Sequence, residues 1–213
     1  MWTDTTRKQH ARNGLRLPSD LTDEEWAVLE PLLPKRSRLG RPPHWSQREI
    51  VEAMLYLLRG GLSWRMLPPG IFPPATTVQH YFYAWRDAGL WTSINHALVM
   101  LAREAAGREA SPTAGVIDSY PWLRHVFADG GYAGKKLKAT LAKIGQWTVQ
   151  IVKRTGKAKG FVVIPRRWVV ERTFAWLGRN RRLAKDFERT VESATAWLVM
   201  ASVQMITRRI ASV

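Results

Sequence analysis

Residues 165–190 read PRRWVVERTFAWLGRNRRLAKDFERT, a basic stretch with a single carboxylate, Glu171, in its first part. After Pro165 the only helix breaker in the following run is Gly178. Apolar residues recur at Trp168, Val169, Phe174, Trp176, Leu177 and Leu183, mostly three or four apart, so one side can pack. Arg166, Arg167, Arg172, Arg179, Arg181, Arg182 and Lys185 occupy much of the rest. The spacing predicts one long basic helix, with Arg167, Glu171, Gly178 and Arg182 on roughly one face. A lone Glu in such a place is usually an ion-pair partner. Its meaning depends on what the rest of the chain sets beside it.

The charge of the whole chain points outward from that stretch. The 213 residues carry a net charge of +16 with a pI near 10.9, which calls for a polyanionic partner, nucleic acid first and an anionic membrane surface second. Residues 1–117 hold 14 Lys+Arg and 11 Asp+Glu, a net of +3, whereas residues 118–213 hold 19 and 6, a net of +13. The attraction is concentrated in the second part. No apolar run approaches the roughly 18 residues of a membrane span, and the N-terminal MWTDTTRKQHARNG lacks the apolar core of a signal peptide. Cysteine is absent, which removes disulfides and thiolate metal sites. An intracellular protein is expected.

Upstream, residues 1–20 read as a polar lead-in. Thr22 and Glu25 form a capping box opening a helix whose buried side is Trp26, Val28, Leu29, Leu32 and Leu33, with Pro34 as its stop. KRSRLGRPP (35–43) is a basic linker. Ser46 and Glu49 form a second capping box, and the helix they open runs to Arg59 before Gly60-Gly61. A third helix is expected from a cap at Thr76 or Thr77 to Gly89, and a fourth from about Thr92 to Ala106. Helix, tight connection, helix is compatible with a helix-turn-helix, in which Thr77, Gln79, His80, Tyr83 and Arg86 would face a DNA groove. Tyr81, Phe82 and Trp85 read as core.

The five histidines share no metal-ligand spacing, and no Gly-rich phosphate loop, Ser-His-Asp order or G-x-S-x-G elbow occurs. Any chemistry must come from carboxylates. AGVID (114–118) and RHVFAD (124–129) are short apolar runs that each end in Asp, at Asp118 and Asp129. KKLKATLAKIG reads as a short basic amphipathic helix; WTVQIVKR (147–154) and GFVVI (160–164) read as strands. Two strand-terminal Asp residues followed by a helical Glu is the pattern of a two-metal nuclease. Hard carboxylate oxygens there hold a pair of Mg²⁺ ions about 4 Å apart for phosphoryl transfer.

The segments LTDEEWAVLEPLLP, GRPPHWSQREIVEAMLYLLRGGLSWRMLP, VQHYFYAWRDAGLW, GVIDS, FADGGYAG and RRWVVERTFAWLGRNRRLAKDFE resemble bacterial insertion-sequence transposases of the DDE, RNase H-like superfamily, over nearly the whole chain. The resemblance implies an α+β fold that is mostly helical. A flexible lead-in (1–20) precedes a helix-turn-helix-like DNA-binding domain (21–110). A shortened RNase H-like domain (111–213) follows, with few strands and long C-terminal helices. It implies that Asp118, Asp129 and Glu171 are the catalytic, metal-binding carboxylates for two Mg²⁺ or Mn²⁺ ions. It further implies that Arg166, Arg167, Arg172, Arg179, Arg182 and Lys185 hold DNA, that the partner is double-stranded DNA at terminal inverted repeats bound by a homo-oligomer, and that the protein works in the bacterial cytoplasm at the nucleoid.

Two departures stand out. Ile164 lies near the place of a tyrosine common in the family. Only ten residues, SYPWLRHVFA, separate Asp118 from Asp129, where the family has strands two and three and a crossover helix. A parallel pair needs about a dozen connecting residues or more, so a hairpin is expected instead, leaving the two carboxylates about 15–20 Å apart. The expectation is an impaired transposase. The alternatives are a non-catalytic DNA-binding remnant or competitor of the full-length enzyme, and a generic basic nucleic-acid-binding protein.

Overall fold

The computed structural model describes residues 15–35, 43–109, 125–128, 148–151, 175–185 and 187–212. Its helices are α1 (Asp23–Leu29), α2 (Gln47–Gly60), α3 (Ala75–Asp87), α4 (Leu90–Glu104) and α5 (Val191–Ile210), with two strands, β1 (His125–Ala128) and β2 (Thr148–Ile151). The mostly helical α+β class expected from the sequence is the observed one.

The first two helices start where local chemistry says they must. Thr22 Oγ1 accepts from the Glu25 amide at 3.1 Å while Glu25 Oε2 accepts from the Thr22 amide at 3.1 Å, and Ser46 and Glu49 repeat the exchange. Each reciprocal pair satisfies amide donors that the first turn would otherwise leave bare. A 3-10 turn, Glu30–Leu32, ends the α1 region before Pro34. At the end of α2, Gly61 takes the left-handed conformation (φ 65°) that closes a helix without steric cost.

Helix α3 begins at Ala75, not at a Thr76 or Thr77 cap; Pro74 is its N-cap residue, and its one carbonyl accepts from the Thr77 and Val78 amides. Proline fixes φ at the helix entry, and its carbonyl takes the Thr77 amide that a hydroxyl cap could have bound. Residues 61–74 between α2 and α3 contain a 3-10 turn at Trp64–Met66 and a bridge between Pro69 and Phe72, so this connection exceeds the roughly three- or four-residue turn of a tight helix pair.

Ile50, Met54, Leu57 and Leu58 of α2 meet Val78 and Phe82 of α3 and Trp91, Ile94 and Leu98 of α4 in one apolar core. Phe82 and Trp85 are buried and Tyr81 packs against the same core, as their spacing indicated. Helix α5 joins that core from the other end of the chain: Trp197 and Met200 are fully buried, and α5 packs chiefly along α4, with further contacts to α1 and α3. No helix of the described residues is long and apolar enough to cross a membrane.

Strands β1 and β2 pair in parallel, His125 opposite Thr148 and Ala128 opposite Ile151. Residues 129–147 connect them, long enough for the crossover that parallel pairing demands. The strands expected at 114–118 and 160–164 lie outside the described residues.

The single helix expected over 165–190 is not what forms in its described part. Residues 175–177 are helical, 178–180 turn, Arg181–Leu183 make a 3-10 turn, and 187–190 are not helical. Gly178 weakens the helix, and Asn180 is extended (φ −93°, ψ 106°), so Gly178 and Arg182 do not share a continuous helical face.

Candidate nucleic-acid interface

The interruption of the basic stretch places Arg182 inside the protein. Its side chain is only 7% exposed. Nε donates to Glu188 Oε1 at 2.8 Å, Nη2 lies 2.6 Å from the same oxygen, and Nη1 donates to the Leu62 carbonyl. The guanidinium plane sits 4.4 Å from the Trp197 ring centre and 5.6 Å from that of Trp64. Trp197 in turn stacks on Phe82 at 4.4 Å. A planar, weakly hydrated cation tolerates such a site where an ammonium would not.

Gly61 makes the approach possible. A Cβ there would lie 3.0 Å from Arg181 Cβ, 3.1 Å from the Arg181 carbonyl carbon and 3.2 Å from the Arg182 amide nitrogen. Glycine thus serves two ends at once, closing α2 and admitting the backbone of the basic stretch.

Beside this anchor opens a cleft of about 770 Å³. One wall is the Gly61–Trp64 segment, a second is the Gln79, Tyr83 and Arg86 face of α3, and the third is formed by residues 187–190 and Ser193. Arg86 lies over the Tyr83 ring at 4.7 Å and donates to Asp87 Oδ1 and, across the cleft wall, to Ser193 Oγ at 2.7 Å. Gln79 Nε2 donates to the Tyr83 hydroxyl at 3.4 Å. Phe187 is 55% exposed.

Of the DNA-facing residues expected on α3, Gln79, Tyr83 and Arg86 therefore come together in the cleft, while half-buried Thr77 and exposed His80 do not line it. Arg179 and Lys185 are exposed; Arg182 also borders the cleft but is largely buried, bonded to Glu188 and Leu62 and set against the two tryptophans. Asp118, Asp129, Glu171, Arg166, Arg167 and Arg172 lie outside the described residues. Sequence reasoning did not reach Trp64, Phe187, Glu188, Arg189 or Ser193. Only the Glu188 carboxylate six residues beyond Arg182 offered a local signal.

A second charged cluster sits at the start of α2. Glu52 accepts from Arg48 Nε at 3.0 Å and from the Leu21 amide at 3.3 Å, and Arg16 Nη2 lies 3.5 Å from it. Burial, assisted by the nearby Asp20 charge, holds the Glu52 carboxyl above the usual carboxylate range despite these bonds. Arg48 loses solvation yet is held above its ordinary value by its bonds to Asp23 and Glu52. Both values are raised, which favours the charged form of Arg48 and disfavours that of Glu52; Glu52 is the more deeply buried partner, and desolvation of its carboxylate is the dominant cost. This cluster fastens residues 16–23 to α2 and is structural.

No group of three or more His, Asp or Glu side chains poised to hold a metal occurs among the described residues. No solved structure matches the chain. A family model described as "Putative transposase of IS4/5 family" matches residues 21–95, and one described as "Transposase DDE domain" matches residues 94–206. The chain is similar to the "Insertion element IS402 uncharacterized 16.2 kDa protein" of Burkholderia cepacia, 32% identical over 40% of this chain and 61% of that protein. It is similar to the "Uncharacterized protein y4sN" of Sinorhizobium fredii, 29% identical over 40% of this chain and 65% of that protein. To the "Putative transposase for insertion sequence element IS402" of B. cepacia it is 40% identical over 35% of each chain. The matches thus span less than two thirds of each relative's length. With the DDE-domain match covering more than half of its residues and the IS4/5 match abutting it, the chain belongs to the DDE-domain transposases of the IS4/5 type.

Proposed function

We propose that this protein binds the terminal inverted repeats of an insertion element as double-stranded DNA, acting as a homo-oligomer on paired ends, and that its capacity to cut and join those ends is impaired. The DDE-domain match over residues 94–206, in the part of the chain that carries most of the net charge, is the observation that carries this reading. Bacterial cytoplasm, at the nucleoid, is the compartment such a substrate requires.

Asp118, Asp129 and Glu171 are the residues that would hold two divalent cations, Mg²⁺ or Mn²⁺. The donor set suits them: three carboxylates supply hard oxygens and no thiolate competes, cysteine being absent. The fold adds one supporting feature. Asp129 follows directly on the last residue of β1, a strand paired in parallel with β2, and the carboxyl ends of parallel strands are where α/β proteins gather ligand-binding side chains. When bound, such a metal pair activates water or a 3′-hydroxyl and stabilises the departing oxygen. Arg166, Arg167 and Arg172, flanking Glu171 in sequence, would neutralise phosphates and hold the DNA in register.

Impairment follows from the ten residues between Asp118 and Asp129. Strand β1 spans about 13 Å at roughly 3.3 Å per residue, so a strand entering antiparallel from Asp118 leaves the two carboxylates about a strand length apart. Metal pairs of this kind need about 4 Å between ions. The protein then remains on the element ends as a competitor of full-length transposase.

The test is a plasmid-nicking assay with the element's own ends in Mg²⁺ and Mn²⁺, beside an end-binding assay. Retained preference for the ends over bulk DNA and RNA without nicking is the expected result. Nicking that both Asp129→Ala and Glu171→Ala abolish would overturn the impairment, and absence of any preference for the ends would overturn the end-binding reading.

A further inference from the structure

We infer that the DNA-contacting surface of this protein is composite, built jointly by α3 and by the C-terminal strap of residues 179–190, with Arg189 and Phe187 as contacts alongside Gln79 and Tyr83. This deepens the proposed function and rests on its premise that the polyanionic partner is DNA.

Three observations carry it. First, the strap is held in place by buried chemistry. Arg182 is fixed to Glu188, the Leu62 carbonyl and the faces of Trp197 and Trp64, and Arg86 on α3 donates to Ser193 just beyond the strap. The segment is thereby anchored through Arg182, and the helix that follows it is tied to α3 through Ser193. Second, with Arg182 turned inward, the remaining cations of the strap, Arg179, Arg181, Lys185 and Arg189, are all exposed. A row of solvated cations along one short segment is the complement of a phosphate backbone. Third, the cleft that the strap completes exposes Phe187 and Tyr83 beside Arg189 and Gln79. Exposed aromatic surface next to cations suits the apolar faces of deoxyribose and base edges. It does not suit a bare anion, which would want only the charges.

The sequence-distant halves of the chain therefore share one binding surface. Phosphate affinity comes from the strap cations and positioning from the α3 face, while Arg182 acts as the positioning residue that sets the strap against α3.

The experiment titrates the full-length protein into a fluorescein-labelled mixed-sequence duplex at several salt concentrations. Arg189→Ala is expected to weaken binding several-fold and to lower the salt slope by about one unit, the signature of one lost phosphate contact. Phe187→Ala is expected to weaken binding several-fold with the slope unchanged. Arg182→Lys, which keeps the charge, is expected to lower the slope if it loosens the strap, whereas a directly phosphate-bound Arg182 would leave it near wild type. Arg209→Ala, at the far end of α5, serves as the control and leaves both affinity and slope unaltered. Arg189 and Phe187 are exposed, so helical circular dichroism is expected to be preserved in both variants. Wild-type affinity and slope in both would overturn the composite surface while leaving DNA binding intact. Failure of the wild-type protein to bind either this duplex or one carrying the element's own ends would overturn the proposed function and this inference together.

Discussion

Replacing Arg182 by Ala removes a guanidinium that bonds Glu188, caps the Leu62 carbonyl and lies against two indole rings. The variant takes the Arg182 guanidinium from the Glu188 carboxylate, whose side chain is 14% exposed. Breaking a buried ion pair from one side costs about 3–5 kcal/mol, because the surviving charge stays desolvated. The cation–π contacts, worth about 2 kcal/mol for a desolvated cation, arise from the same atoms, so the two figures overlap and do not add. At roughly 2–4 °C per kcal/mol for a chain of this size, Arg182→Ala is expected to lower Tm by about 10 °C, measured by far-UV circular dichroism. A double replacement, Arg182→Met with Glu188→Leu, is expected to recover part of the loss, since no lone charge remains buried. If Arg182→Ala melts within about 2 °C of wild type, a shift of the size expected for a surface cation, the anchor reading is wrong.

Two further outcomes follow from the same geometry. Gly61→Ala is expected to cost about 1–3 kcal/mol, because φ at 65° penalises any Cβ by roughly 1–2 kcal/mol and the neighbours at 3.0–3.2 Å include the backbone of Arg181 and Arg182; a melting curve superimposable on wild type would refute the close approach. Glu52→Gln tests the buried carboxylate. Its folded pKa is raised, so its contribution to stability is complete below the ordinary carboxylate range and is lost as the pH rises through the raised value. The Gln variant lacks this loss and is expected to gain on wild type in Tm as the pH is raised from acid toward neutral; a gap that moves the other way would mean that the bonds from Arg48 and Leu21 outweigh desolvation.

What could be read from the sequence was local. Thr22 with Glu25 and Ser46 with Glu49 announce α1 and α2 because each box is complete within four residues. Tyr81, Phe82 and Trp85 declare a core face by spacing alone. The run 124–129 and the run 147–154 each contain the strand found there. Where the reading failed, the deciding partner was far away or the competing signal was weak. The start of α3 turned on a prolyl residue acting as cap, a weaker signal than the two threonines beside it.

The basic stretch shows why charge alone misassigns residues. Arg179, Arg181, Arg182, Lys185 and Arg189 are near-equivalent by composition, and a helical wheel gives Arg182 the same standing as its neighbours. The fold separates them through Leu62, 120 residues away, and Trp197 on the following helix. Burying one guanidinium demands a carboxylate, a carbonyl and aromatic faces together, and only Arg182 finds all of them. The chain around it is not one continuous helix, and Arg179, Arg181, Lys185 and Arg189 are exposed. Arg182, placed by its spacing on one face with Arg167, Glu171 and Gly178, is the cation that the fold buries, and its bonds hold the segment on which Arg179, Arg181, Lys185 and Arg189 stay exposed.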